Sequence, residues 1–99
     1  MHTPVEPTAP KKFRRPTAEV EAMQLFLYGG DNHAEVLAWA NSGQPTVTLH
    51  EASAGTKWAT ISTRRGPVTA YHGDWIIRDE NGELSPLAAT SFEHEFEPV

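Results

Sequence analysis

Five histidines, thirteen carboxylates and no cysteine bound the chemistry open to this 99-residue chain. Without cysteine there is no disulfide scaffold, no cysteine-rich zinc site and no thiol nucleophile. His50, His72 and His94 recur every 22 residues. Their flanks (Leu49/Glu51, Tyr71/Gly73, Glu93/Glu95) do not match, so the spacing marks no repeat. With Glu51, Asp74 or Glu95 they form a set that zinc accepts. No H-x3-H or HExxH spacing places two of them on one face, so each reads better as a surface or strand residue, and no metal site or cofactor is expected. His72 and Asp74 flank Gly73, and a His–carboxylate pair there is the candidate for acid/base work. No serine or cysteine elbow accompanies it. The plainer reading is that Asp74 caps its own turn, as Asx residues do. Gly29-Gly30-Asp31-Asn32 leads into a helix N-terminus, where an anion can sit. It lacks GxGxxG and GKS/T, and Asp31 puts negative charge where the anion would go.

The other candidate chemistry is binding. Lys11, Lys12, Phe13, Arg14 and Arg15 interleave four cations with a ring, the pattern of a weak nucleic-acid contact. Arg64-Arg65 is a second basic pair. The formal charge of −5 divides unevenly: residues 1–16 carry +3 and residues 17–99 carry −8. An acidic body opposes a surface that grips phosphates by counterion release. Nucleic acid is therefore the weaker alternative, and protein is the favoured partner.

The elements that would position these groups follow from pattern. One domain at most fits this length. A domain this small has a thin core, with little room for a deep pocket. Pro4, Pro7 and Pro10 interrupt any apolar period, so residues 1–12 are expected to be a disordered, extended arm and 13–99 a single domain. Glu19 to Phe26 alternates and then turns apolar on both sides, a strand with a more buried end. Asp31 or Asn32 is the expected N-cap of a helix over His33–Asn41, with Val36, Leu37 and Ala40 on its apolar face and Trp39 partly buried. Ser42-Gly43 stops it. Thr46–His50 and Lys57–Thr63 read as a hairpin, with Arg64–Pro67 a turn and Val68–Tyr71 a short extended run. Gly73 is free to take positive φ in the turn before Trp75–Arg78. Asn81-Gly82 predicts a type I′ hairpin turn. Pro86 places the returning run at an edge. Ala88–Phe92 reads as one helical turn. Phe92, His94 and Phe96 alternate against Glu93, Glu95 and Glu97, a last strand with an acidic face. The class is α+β, a mostly antiparallel sheet of about four to six strands with one helix packed on a face.

No apolar run approaches the ~20 residues a bilayer span needs. The first residues lack a charged n-region followed by an apolar h-region. The expected location is the cytoplasm of a bacterial host, or a virion.

The stretch His72-Gly73-Asp74-Trp75-Ile76-Ile77, then Asn81-Gly82-Glu83, Pro86, Phe92 and Phe96-Glu97, resembles a widespread group of small phage and prophage proteins. Their C-terminal half reads P-G-D-[YW]-[IV]-[IV], N-G-E, a proline, then F-x-x-x-[YF]-E. Phe13-Arg14-Arg15-Pro16, Val20-Glu21-Ala22-Met23-Gln24 and Gly30-Asp31-Asn32 are similar to the group's opening R-K-[RK]-P, V-E-A-[VM]-Q and G-D-N. The likeness spans about residues 12–99, poorly across 43–66. It departs at His72, usually proline, and at Phe96, often tyrosine. It implies a phage or prophage origin in a high-GC host and a shared fold, and no reaction. Read physically, Gly73 and Gly82 make turns, while Trp75, Ile77 and Phe92 fill a core. Arg14 and Arg15 are placed to pair with Glu19, Glu21 or the last strand. The favoured function is a non-enzymatic accessory protein that binds another macromolecule. The alternatives are a nucleic-acid binder working through the basic arm, and a small enzyme or ligand-binding protein centred on His72 and Asp74.

Overall fold

The computed structural model describes residues 9–15, 18–42 and 46–98. Ten elements follow in order: β1 (Lys11–Arg15), β2 (Ala18–Gln24), α1 (His33–Ala40), β3 (Val47–Glu51), β4 (Lys57–Thr63), β5 (Gly66–Ala70), β6 (Trp75–Arg78), β7 (Leu84–Leu87), α2 (Ala89–Glu95) and β8 (Glu97–Pro98). The expected α+β class holds. The described strands number eight, in a five-stranded sheet ordered β7-β6-β2-β1-β8 and a three-stranded meander β3-β4-β5. All pairings are antiparallel.

The period of two along each strand sorts side chains into two cores. In β6, Trp75 and Ile77 face one way and Ile76 the other, and all three are buried. That is why this run is apolar at every position: both faces of the larger sheet are covered. One core joins Met23, Ile76 and Leu84 of the larger sheet to Val36 and Ala40 of α1 and to Ala59, Ile61 and Ala70 of the meander. The other lies on the opposite face, where Phe13, Val20, Ala22, Trp75 and Ile77 meet Phe92 and Phe96. Trp75 and Phe92 stack with centroids 4.1 Å apart, and Phe13 meets both rings edge-on at 5.1 and 4.8 Å.

Four expectations are corrected. First, the arm boundary at residue 12 falls inside β1: Lys11 and Lys12 pair with Ala22 and Glu21. Burial of Phe13 at 3% exposure draws this segment into the sheet. Residues 1–8 of the expected arm lie outside the described residues, as does Gly43. Second, the acidic-faced last strand is mostly helix. Phe92 and Phe96 lie four apart, hence on one helical face, and both are buried, while Glu93, His94 and Glu95 are exposed. Third, the Asn81-Gly82 turn is not type I′, because only Gly82 has positive φ (+80°). The Asp79 carboxylate accepts from Asn81 N–H (2.9 Å) and Glu83 N–H (3.0 Å). Asp79 N–H reaches Glu83 C=O at 3.0 Å, and Glu80–Gly82 form a three-residue loop with glycine at its left-handed position. Fourth, the Asn32 side chain makes no capping bond to α1. It is 2% exposed and turns back to β2. Its Oδ1 accepts from Phe26 N–H at 2.8 Å and its Nδ2 donates to Gln24 C=O at 2.8 Å.

Arg78 ties α1 to the sheet. Its guanidinium donates to the carbonyls of Trp39 (2.6 Å) and Ala40 (3.3 Å) at the helix C-terminus and lies 4.7 Å from the Trp39 ring centroid. A cation there complements the negative helix end. No helix of the described residues is long and apolar enough to cross a membrane.

Candidate functional site

The residues singled out in the sequence scatter over the fold. The basic run forms β1, in the interior of the larger sheet. Lys11, Lys12 and Arg14 are exposed; the Arg15 side chain lies outside the described set. Arg14 Nε donates to Glu97 Oε1 at 3.1 Å, the expected pairing with the last strand. Phe13 is enclosed by Trp75 and Phe92, so it presents no ring for a base to stack on.

His72 and Asp74 do not act on each other. Asp74 Oδ2 accepts from Tyr71 N–H at 2.9 Å, and Asp74 N–H donates to Tyr71 C=O at 3.0 Å, the expected capped turn. His72 Nδ1 accepts from Leu27 N–H at 3.0 Å, which places the ring proton on Nε2. The same turn is stitched to the end of β2: Gly73 N–H donates to Leu25 C=O (2.7 Å) and Leu25 N–H to Asp74 C=O (2.8 Å). Gly73, with φ of +89°, makes that close return possible. Imidazole, glycine and carboxylate here extend a β ladder. His50 lies on β3 and stacks on Trp58, and His94 is exposed on α2. Among the described residues no three His, Asp or Glu side chains gather as metal ligands do.

Two surfaces stand out instead. The first is an open seam between β5 and β7, the facing edges of the two sheets, with a volume of about 450 Å³. Val68 of β5 points inward like Ala70, yet it is 36% exposed where Ala70 is fully covered. Leu84 and Pro86 of β7 line the far wall, and Arg64 and Arg65 stand at one end. Arg64 is held by Glu83 at 2.8 Å. The Arg65 guanidinium has no partner among the described residues. Pro67 and Pro86 explain why the seam stays open. Each sits in one of the two facing edge strands and brings no N–H, so the edges do not close into one barrel.

The second is the outer face of the meander. Register sets Thr48, Thr60 and Thr69 side by side across three strands. The next row holds His50 opposite Trp58, their rings stacked at 5.4 Å. Tyr71, just past the end of β5, is 61% exposed.

Sequence reasoning missed both surfaces. The seam arises from two prolines and a valine that meet only in the fold. The row arises from cross-strand register, which the alternation of each strand leaves open. The chain matches no family model, no curated protein and no solved structure.

Proposed function

We propose that the protein is a non-enzymatic phage or prophage accessory protein that binds another protein, seating an extended segment of it in the seam between β5 and β7. The observation that carries this reading is the half-uncovered Val68 beside Leu84 and Pro86, with the Arg65 guanidinium at the mouth. An apolar floor with an unpaired cation fits a segment offering an apolar side chain and a carboxylate. The volume, about 450 Å³, lies within the range of preformed binding clefts. The bonds that His72 and Asp74 make to backbone groups support a binding rather than a catalytic role.

The test is affinity capture from host lysate with the parent protein and with Val68→Asp and Arg65→Glu, each checked for folding by circular dichroism. One stoichiometric protein that is retained by the parent and lost by both folded variants supports the reading. No such protein, or equal capture by all three, refutes it.

A further inference from the structure

The outer face of the meander has a chemistry unlike the rest of this acidic molecule. Alternation turns Val47, Ala59, Ile61 and Ala70 to the core and the intervening residues outward. The outward positions are threonine, serine, one proline and rings, with no formal charge. Glu51 and Lys57 fall on the opposite parity and oppose each other across β3 and β4. The carboxylate at the margin of the face, Asp74, is held by Tyr71 N–H at 2.9 Å. The Lys57 ammonium lies over the Tyr28 ring, 5.9 Å from its centroid.

The row of rings is ordered. His50 stacks on Trp58 with 22° between planes, and its Nε2 lies 2.9 Å from Thr60 Oγ1. Both ring planes are therefore fixed from one side. Tyr71 follows β5 directly and is 61% exposed, the most open ring of the face. The hydroxyls of Thr48, Ser62 and Thr69 have no partner among the described residues.

We infer that this face binds a neutral glycan, with Trp58 and Tyr71 stacking on sugar rings and the threonine row hydrogen-bonding to their hydroxyls. Aromatic rings offer a stacking surface with a polar edge, and the hydroxyls both donate and accept. Three strands span about 10 Å, the width of two linked sugar rings. Nucleic acid also stacks on rings, but it requires cations along its track, and this face has none. Protein interfaces also use Trp and Tyr, but they are depleted in serine, and here the rings are set beside a field of free hydroxyls.

The experiment is an NMR titration of the whole protein with cellohexaose, maltohexaose and chitohexaose, followed also by tryptophan emission. Trp75 is buried, while Trp39 and Trp58 are both half-buried, so an emission change is assigned to Trp58 by its loss in Trp58→Phe. We expect saturable shifts confined to β3, β4 and the end of β5 with at least one of the three sugars. They should be unchanged between low and high salt, because no charge takes part. Trp58→Ala and Tyr71→Ala should each weaken binding about tenfold, the loss of one stacked ring. Tyr71 is exposed, so its variant remains informative should the Trp58 variant unfold. Val68→Asp should bind the sugar as the parent does, which separates this site from the seam. No saturable shift with any of the three, binding untouched in Tyr71→Ala, or binding abolished by salt overturns the inference.

Discussion

Asn32 offers the sharpest test of how this fold is held. Asparagine and aspartate serve almost equally as helix N-caps, so a capping role predicts that Asn32→Asp is nearly neutral. The structure gives the side chain a different task. It presents an acceptor to Phe26 N–H and a donor to Gln24 C=O, both at 2.8 Å and nearly out of reach of water. An amide satisfies both; a carboxylate satisfies only the first and sets a negative charge against the Gln24 carbonyl. Truncation to alanine leaves two backbone groups bare, at about 1–3 kcal/mol each. Asn32→Ala should therefore cost about 2–6 kcal/mol, at roughly 4–8 °C of melting temperature per kcal/mol for a domain of this size. Asn32→Asp should cost about 3–5 kcal/mol at neutral pH, the range for an uncompensated buried charge.

The Asp variant also predicts a direction with pH. Burial raises the folded-state pKa of the new carboxyl above its unfolded value. The native state of the variant then holds the proton more tightly than the unfolded chain does. Its stability is fullest in acid, where the neutral acid can donate to Gln24, and falls as pH rises through the folded-state pKa. The assay is thermal unfolding by circular dichroism at about pH 4 and pH 7, each read against the parent at the same pH. Asp31→Ala is the control; Asp31 is largely exposed and its Oδ1 lies 2.6 Å from His33 Nδ1, so the change should cost no more than about 1 kcal/mol and show none of the Asn32 pH dependence. An Asn32→Asp protein that melts with the parent at pH 7 would refute the bridging role and restore the cap.

Arg78→Lys should lose about 1–3 kcal/mol, because one ammonium cannot both fork onto the Trp39 and Ala40 carbonyls and lie on the indole; faster amide exchange at the end of α1 would report it. Phe13→Ala should cost about 3–5 kcal/mol in chemical denaturation, while Lys11→Ala and Lys12→Ala change little, the reverse of what a basic arm outside the core predicts. Gly82→Ala places a side chain at φ +80° and should cost about 1–2 kcal/mol in melting experiments. Arg14→Ala should move stability by less than about 1 kcal/mol at any salt concentration, since the pair with Glu97 is exposed on both sides.

The class and most strand positions were legible because their signals are local. Lys57–Thr63 and Trp75–Arg78 coincide with the observed strands, and Pro86 does lie on an edge strand. The misreadings share one cause. Phe92, His94 and Phe96 fit a period of two as well as Phe92 and Phe96 fit a helical turn, and burial of the two phenylalanines against Trp75 decides between them. Lys11–Arg15 reads as a charged arm until Phe13 is given a core to enter. Asn81-Gly82 carries the type I′ signal, but the Asp79 carboxylate imposes another loop. The candidate surfaces were less visible still, because each depends on which strands become neighbours. Pro67 and Val68 were read as turn and short strand, with nothing in either to announce a seam.

The strand order also governs how the chain reaches its native state. The meander β3-β4-β5 pairs only neighbours in sequence, so its loop-closure entropy is small and it is the natural early structure. The larger sheet is different. β2 must wait for β6, and β1 for β8, strands that lie half a chain or more downstream. Until then the first hairpin has no aromatic cover, since Trp75, Phe92 and Phe96 all come late. Folding should therefore be slow for a domain of this length, with the meander formed in the transition state and the aromatic core docking after it. Substitutions at Ile61 should slow folding, and substitutions at Phe92 should chiefly speed unfolding.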